Sequence, residues 1–287
     1  MVDLLCTVRG CGDALARRAA TWRCPRGHSF DVARSGYVNL LQPGDRRSLA
    51  AGDTLAAAAA RERLELRGIG EELRAAVEER VAALSLPSGA AALDVGAGTG
   101  ATLARLSGAF GLEGWALDLS APAAERGARR HPELAWVVAN ADRGLPFQAR
   151  SFALLVSSTG PKNPAEFRRA LAPTGALLLV VPAPDDLVEL RAAVLGQGEL
   201  LDRAARALAL FADDFTVAGR AVARATRVLE RAQIEDVLAA TYRGARRRER
   251  ARLAGLESLR TTFAAELLHL VPRDLDPRIG AGGGHGP

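Results

Sequence analysis

The sequence predicts an α/β fold with a mainly parallel sheet, preceded by a small metal-binding segment. Two observations predict it. From Ala90 onward short apolar strands alternate with amphipathic helices, and all three cysteines lie within the first 24 residues. Alternation at this spacing is typical of right-handed βαβ units. The composition agrees, because 48% of the 287 residues are hydrophobic and 25% are charged, as in ordinary globular proteins.

The predicted elements follow in chain order. After the turn-rich residues 1–40, the stretch 53–85 has the apolar spacing of a helix, which Pro87 and Gly89 end. Strands are predicted at 91–95, 114–118, 135–139, 152–157 and 176–182, with helices at 99–108, 121–130 and 164–171. Later elements are helices at 185–195 and 199–211, a strand at 219–228, a helix at 231–240 and a strand at 261–271.

These elements divide the chain into four predicted parts. A zinc-binding domain covers 1–40, a helical linker region 41–89, and the α/β domain 90–272. The remainder, 273–287, is rich in glycine and poor in apolar residues, so we expect a mobile tail.

The charge balance leaves two interpretations open. The chain carries a formal charge of +5, and Lys162 is the only lysine among its 38 basic residues. A GC-rich coding bias produces this composition, but a basic protein also suits an anionic partner such as nucleic acid. The longest apolar run, 176–181, is too short to span a bilayer, and the first ten residues lack a secretory pattern. A cytoplasmic protein without a membrane partner is therefore expected.

Three cysteines and a histidine form a candidate metal site. Their spacing is Cys6-x4-Cys11-x12-Cys24-x3-His28. Two close ligand pairs about a dozen residues apart suit tetrahedral Zn²⁺, and four protein ligands leave no position for water. The alternative is three buried thiols beside an incidental histidine. It is disfavoured because a segment this short has little core of its own. The sequence therefore predicts a structural zinc ion.

A glycine-rich loop, Asp94-x-Gly96-x-Gly98-x-Gly100, follows the first predicted strand of the α/β domain. Glycines at alternate positions let the backbone turn sharply and approach a ligand. Asp118 ends the next strand, where nucleotide-binding βαβ units place an acid that binds ribose. A carboxylate at Asp94 would repel a pyrophosphate but suits a sulfonium and its amino group. The pattern therefore favours S-adenosylmethionine over NAD.

Polar residues after the next two strands supply further candidates. Asn140 and Asp142 are both suited to contact the adenine ring, and the sequence does not choose between them. The loop 157–163 follows the fourth strand at the edge where open α/β sheets bind ligands, so it is the candidate for the acceptor side. Lys162 lies in this loop, with a solvated surface lysine as the alternative interpretation.

The phrase GHSFDVARSGYVNLL, residues 27–41, is the most specific pattern in the chain. Together with the cysteine spacing, the glycine loop and the phrase GPKNP at 160–164, it resembles the bacterial 23S rRNA guanine-N1 methyltransferases. Some members of that family confer resistance to macrolides such as tylosin. The resemblance implies a class I, Rossmann-like methyltransferase domain with a small N-terminal zinc-binding domain. It also implies methyl transfer to guanine N1 in an rRNA hairpin, and a homodimer.

Guanine N1 carries a proton at neutral pH, so the reaction needs a base or a group that stabilises charge on O6. Asn163 and Lys162 are candidates for O6, and Asp31 or Asp142 for the proton. Two other functions stay open. One is a methyltransferase for a small molecule, which the loop 157–161 supports because it differs from the more apolar loop usual in the resembling family. The other is an RNA-binding protein without turnover. The predicted phosphate contacts are Arg17, Arg18, Arg23, Arg26, Arg34, Arg46 and Arg47, with the run 246–250 as a second candidate.

Overall fold

The computed structural model describes residues 2–45, 54–196, 200, 202–241, 252 and 255–273. Arg46, Arg47, the basic run 246–250 and the predicted tail beyond residue 273 lie outside these ranges. The described chain forms a three-stranded sheet and an eight-stranded sheet with helices on both sides. None of the described helices combines the length and the apolar character needed to cross a bilayer.

The N-terminal segment (residues 2–40) contains short strands that its turn-rich sequence did not predict. Strands β1 (Ala16–Arg18), β2 (Thr21–Arg23) and β3 (Ser29–Asp31) form an antiparallel sheet in that order. A fourth short strand, β4 (Val38–Asn39), is not part of this sheet. It pairs in parallel with residues 137–138 of the large sheet. The end of the N-terminal segment is thus also an edge of the large sheet.

Two helices stand where the sequence predicted one over 53–85. They are α1 (Leu55–Leu66) and α2 (Glu71–Ala82). Gly68 and Gly70 between them have φ angles of +73° and +85°, a left-handed conformation that ends one helix before the next begins. The prediction of a single helix was wrong because apolar spacing continues across this break.

The large sheet has the strand order β10-β11-β9-β8-β5-β6-β7-β4. Its further strands are β5 (Ala91–Val95), β6 (Glu113–Asp118), β7 (Ala135–Val138), β8 (Phe152–Ser158), β9 (Leu171–Pro182), β10 (Phe215–Glu230) and β11 (Ser258–Pro272). The helices are α3 (Ala101–Phe110), α4 (Ala121–Arg130), α5 (Pro164–Ala170), α6 (Val188–Leu195), α7 (Arg203–Phe211) and α8 (Arg231–Thr241).

Strands β4 to β9 are parallel, and β11 runs antiparallel to both β9 and β10. The predicted parallel sheet is thus present, with an antiparallel pair at one edge. The strand order reverses between β5 and β8, which in such sheets opens a ligand crevice at the carboxyl ends of the strands.

A short stretch after β7, the joint segment (Leu145–Gln148), attaches the N-terminal segment to the large sheet. The N–H of Leu5 donates to the carbonyl oxygen of Pro146 at 2.9 Å, and the N–H of Gln148 donates to that of Asp3 at 3.1 Å. Because backbone groups bond on both sides of Phe147, the two parts of the chain are held in a fixed relation.

The side chain of Phe147 completes this attachment. It is fully buried and packs edge-to-face against Trp115 and Phe152, with ring centroids 5.5 and 5.0 Å apart. Leu4 faces Phe147 across an isolated antiparallel bridge, and Cys24 is buried in the same apolar cluster. The N-terminal segment therefore shares its core with the large sheet.

His269 of β11 is a half-buried base that contacts Arg80. A guanidinium nitrogen of Arg80, on α2, lies 2.9 Å from Nδ1 of His269. Burial, and secondarily the positive charge of Arg80, lower the pKa of His269 from 6.5 to about 4. The folded protein thus keeps this imidazole neutral in a range where the unfolded chain protonates it.

We expect the free energy of unfolding to decrease as the pH falls from about 6.5 to 4, because only the unfolded state takes up this proton there. The contribution is about 1–3 kcal/mol after allowing for solvent screening. Urea unfolding of the parent protein and of His269→Gln at both ends of this range measures it. Glutamine does not titrate, so the variant should lose less stability. Equal losses would contradict the assignment, since any loss of metal at low pH is common to both proteins.

Candidate functional site

The four predicted metal ligands converge in the N-terminal segment. The ligand atoms of Cys6, Cys11, Cys24 and His28 all lie within 4.8 Å of one another. Sγ of Cys11 is 3.8 Å from Sγ of Cys24, and Nδ1 of His28 is 3.4 and 3.3 Å from Sγ of Cys6 and Cys24. Tetrahedral zinc requires separations of about 3.8 Å between sulfurs and about 3.5 Å between sulfur and nitrogen. The donor set therefore fits a structural zinc ion, with Nδ1 as the histidine ligand.

Arg26 connects the two turns that carry these ligands, the first around Gly10 and the second between Cys24 and His28. Nε of Arg26 donates to a carboxylate oxygen of Asp13 at 3.0 Å, and another guanidinium nitrogen donates to the carbonyl oxygen of Gly10 at 3.0 Å. Arg26 lies in the second turn, between Cys24 and His28, and Gly10 in the first. Arg26, predicted as a phosphate contact, therefore has a structural role beside the metal site.

A second site lies at the carboxyl edge of the large sheet, in a cavity of about 530 Å³. Its floor is the loop from Asp94 to Gly98 and the end of β6 at Asp118. Residues 158–161, at and just beyond the end of β8, form one wall, and residues of α1 and α8 form another. The cavity thus occupies the crevice expected where the strand order reverses.

The glycines of the loop serve different contacts. A Cβ atom added at Gly96, whose φ is +83°, would lie 3.0 Å from Cα of Gly160 and 3.0 Å from Cδ of Pro161. A Cβ added at Gly100 would lie 2.6 Å from the ring of Trp136. Gly96 and Gly98 line the cavity, as predicted for cofactor binding, whereas Gly100 does not. Gly100 instead lets the start of α3 pack closely on β7.

Two carboxylates face the cavity with different surroundings. Asp118 accepts hydrogen bonds from the N–H groups of Gly98 at 2.8 Å and Ser120 at 2.7 Å, so it holds the loop in place. Asp94 is buried, and its Oδ1 has no hydrogen-bond partner among the described residues. Burial, and secondarily the charge of Asp118, raise the pKa of Asp94 to about 7.

A buried carboxylate oxygen without a partner is costly unless a ligand compensates it. The ammonium group of S-adenosylmethionine would do so at Asp94, and its ribose hydroxyls would meet Asp118. The cavity residues therefore fit this cofactor.

The structure separates the two candidates for adenine contact. Asp142 lines the cavity. Asn140 does not: its side-chain oxygen accepts from the N–H of Asp142 at 3.0 Å, and its amide nitrogen donates to the carbonyl oxygen of Asp45 at 2.5 Å. Asn140 therefore shapes the turn that presents Asp142.

Of the four residues predicted for catalysis, Asp142 lines the cavity, whereas Lys162, Asn163 and Asp31 do not. Nζ of Lys162 donates to the carbonyl oxygen of Gly160 at 3.4 Å, and burial lowers the pKa of Lys162. Asn163 caps α5 and donates to the carbonyl oxygen of Ala141 at 3.0 Å. Asp31 is exposed on β3. Of the three, Lys162 follows directly on the wall formed by residues 158–161.

The sequence did not point to α1 and α8 as parts of the site. Both helices contribute to the lining, and they pack on each other with an ion pair between them. Nε of Arg63 lies 3.1 Å from each carboxylate oxygen of Asp236, whose side chain is only 9% exposed. Arg61 and Glu65, four residues apart on α1, turn the same face to the cavity. Their i, i+4 spacing is the one signal that the sequence offered.

We expect one tightly bound zinc ion per chain. Cys24→Ser should abolish stoichiometric zinc and lower the Tm by at least about 5 °C, because the N-terminal segment shares its core with the large sheet. Elemental analysis and thermal unfolding measure this, with Arg23→Ser, at the exposed neighbour of Cys24, as the control. A parent protein without zinc whose three thiols titrate freely would refute the assignment.

Replacement of Asp118 by Ala should weaken binding of S-adenosylmethionine about 10- to 150-fold, because charge-assisted hydrogen bonds are lost. Titration calorimetry measures the affinity, and Glu113→Ala, at the opposite end of β6, is the matched control. Cofactor affinity equal to that of the parent protein would show that Asp118 does not bind the ribose.

Two family models match the chain. Residues 6–48 match the zinc ribbon described as RlmA, N-terminal, and residues 92–175 match a methyltransferase domain. A 23S rRNA (guanine(748)-N(1))-methyltransferase of Streptomyces fradiae is 41% identical over 185 residues, 63% of this chain and 64% of that protein. A Micromonospora griseorubida protein assigned to the 23S rRNA (guanine-N(1)-)-methyltransferases is 41% identical over 193 residues, 62% and 63% of the two chains. The alignments thus span less than two thirds of either relative.

Among solved structures, a chain from the complex between the Haloferax volcanii Trm112 methyltransferase activator and its methyltransferase superposes with a TM-score of 0.52. It is 18% identical and covers 77% of this chain and 99% of that one, which supports the fold alone. The chain therefore combines an RlmA-type N-terminal zinc ribbon with a class I methyltransferase domain, and both the predicted fold class and the predicted resemblance are confirmed.

Proposed function

We propose that this protein is an S-adenosylmethionine-dependent methyltransferase that methylates N1 of a guanine in 23S rRNA. One observation carries the proposal. The RlmA-type ribbon packs directly on the sheet that forms the cofactor cavity, and the contacts are made by the joint segment and β4. The two relatives at 41% identity are named for this activity. An rRNA substrate also agrees with the predicted cytoplasmic location.

S-adenosylmethionine would supply an electrophilic methyl group, because in-line attack of the acceptor nitrogen on the methyl carbon breaks its bond to the sulfonium sulfur and releases a neutral thioether. The protein's part is to fix both reactants and exclude water. Asp118 is suited to hold the ribose, Asp94 to face the amino group, and Asp142 to border the adenine. The acceptor base has to leave its stack to reach such a crevice.

Among the residues predicted to stabilise charge on guanine O6, Lys162 is the one that we keep as a candidate. It follows Gly160 and Pro161, which line the cavity, and its lowered pKa marks a partly desolvated cation. A cation there would stabilise negative charge that develops on guanine O6. The side chain of Asn163 is already engaged in capping α5, and Asp31 is exposed on β3 of the ribbon. Asp142 is the predicted proton acceptor that borders the cavity.

The RNA would meet the exposed face of β1 and β2. The register places Arg18 opposite Thr21 and Ala16 opposite Arg23. Side chains at alternate positions and those directly opposite share one face, so Arg18 and Arg23 lie together. Both are exposed, as phosphate contacts have to be.

The direct test is transfer of a labelled methyl group from S-adenosylmethionine to unmodified 23S rRNA, with the product nucleoside identified. We expect 1-methylguanosine. A protein that binds rRNA and cofactor without product would be an RNA-binding protein on this scaffold. A protein that methylates only small molecules would support the alternative raised by the loop 157–161.

Replacement of both Arg18 and Arg23 by Glu should weaken rRNA binding. The decrease of log affinity with log salt concentration should become less steep, by about 2 in the slope, because two phosphate contacts are lost. Cofactor affinity should stay as in the parent protein. The control is the double reversal of Arg206 and Arg220, exposed residues of α7 and β10 that give the same net charge. Unchanged rRNA affinity in the first variant, or an equal loss in the control, would exclude this face as the RNA-binding surface.

A further inference from the structure

We propose that Arg61, on α1, binds the carboxylate of the methionine part of S-adenosylmethionine. The inference rests on the proposed function, since it requires this cofactor in the cavity. It assigns a binding role to a residue outside both segments matched by family models, 6–48 and 92–175.

The position of Arg61 is the first argument. Its side chain lines the cavity and lies against the glycine-rich loop: a Cβ atom added at Gly98 would lie 3.4 Å from Cδ and 3.7 Å from Nε of Arg61. One guanidinium nitrogen donates to the carbonyl oxygen of Ala240, on α8, at 3.0 Å. The guanidinium is thus anchored on the helical wall directly above the loop that receives the cofactor.

The charge pattern of the cavity is the second argument. The amino-acid end of the cofactor carries an ammonium group and a carboxylate, so its site needs charges of both signs. Asp94, with its buried and unpartnered Oδ1, marks the position for the ammonium group independently of Arg61. The carboxylate then needs a cation in the same cavity, and guanidinium binds carboxylates through two parallel hydrogen bonds.

The start of α3 adds to this preference for an anion. Ala101 and Thr102, the first residues of the helix, line the cavity, and no side chain caps this helix end. Backbone N–H groups at a helix start favour negative charge. Arg61 and this helix end therefore both stabilise a carboxylate between α1 and the loop.

Arg74 is the competing cation, because it also lines the cavity. Its guanidinium donates to the carboxylate of Glu71 at 3.2 and 3.3 Å and lies 3.4 Å from the carbonyl oxygen of Ile69. Arg74 is thus directed towards α2 and the turn before it. Arg61 is the better candidate because its side chain lies against Gly98 of the glycine-rich loop, and Arg74 provides a matched control in the same cavity.

The test compares two ligands that differ only in the carboxylate, S-adenosylmethionine and decarboxylated S-adenosylmethionine, by titration calorimetry. Arg61→Gln should weaken binding of S-adenosylmethionine about 10- to 100-fold, because a charge-assisted pair is lost. It should change the affinity for the decarboxylated ligand by no more than about twofold. Arg61→Lys, which keeps the charge but not the planar fork, should recover part of the preference for the carboxylate.

Two further variants separate binding from structure. Arg74→Gln should leave the ratio of the two affinities unchanged. Arg63→Gln, which removes the ion pair between α1 and α8, should weaken both ligands by the same factor. Equal weakening of both ligands in Arg61→Gln, or no weakening, would overturn the assignment of Arg61 alone. A parent protein that binds neither ligand would overturn the proposed function together with this assignment.

Discussion

The joint segment is the constraint on which the rest of the structure depends. Leu145 donates its N–H to Glu166 at 2.7 Å, and Arg169 donates to the carbonyl oxygens of Leu145 and Phe147 at 2.7 Å each. Burial alone would raise the pKa of Glu166, but Arg169 and the N–H of Leu145 outweigh it and hold the pKa below its usual value. An ion pair on α5 thus fixes the backbone against which the zinc ribbon docks.

This arrangement gives the zinc site a role beyond its own fold. A ribbon of about 40 residues has too little core to fix its orientation by itself. A zinc ion bound by the four predicted ligands would order the turns, and Leu4 packs against Phe147 as part of a larger core. The metal ligands therefore contribute to how the exposed face of β1 and β2 is placed relative to the cofactor cavity.

The sequence predicted the parts of the molecule that depend on local spacing. The convergence of the four predicted metal ligands, the βαβ units and the position of Asp118 at the end of β6 all follow from residue types at short, regular intervals. It did not predict the pairing of β4 with β7, the break at Gly68 and Gly70, or the use of α1 in the site, because these depend on contacts between distant segments. Asn163 illustrates the limit: an asparagine before Pro164 suits either an active site or a helix cap, and only the contacts distinguish them.

A continuous set of contacts runs from the ribbon to the glycine-rich loop, and it includes the loop that the sequence predicts for the acceptor side. The joint segment is held by α5, whose first residue follows the cap at Asn163, and the loop 158–161 that precedes this cap packs Gly160 and Pro161 against Gly96. Any shift of α5 would therefore move both the joint segment, on which the ribbon packs, and the wall of the cavity formed by residues 158–161. A base presented by an RNA on the ribbon would enter at the loop that this same helix positions. Packing thus links the face proposed for RNA contact to the cavity proposed for methyl transfer.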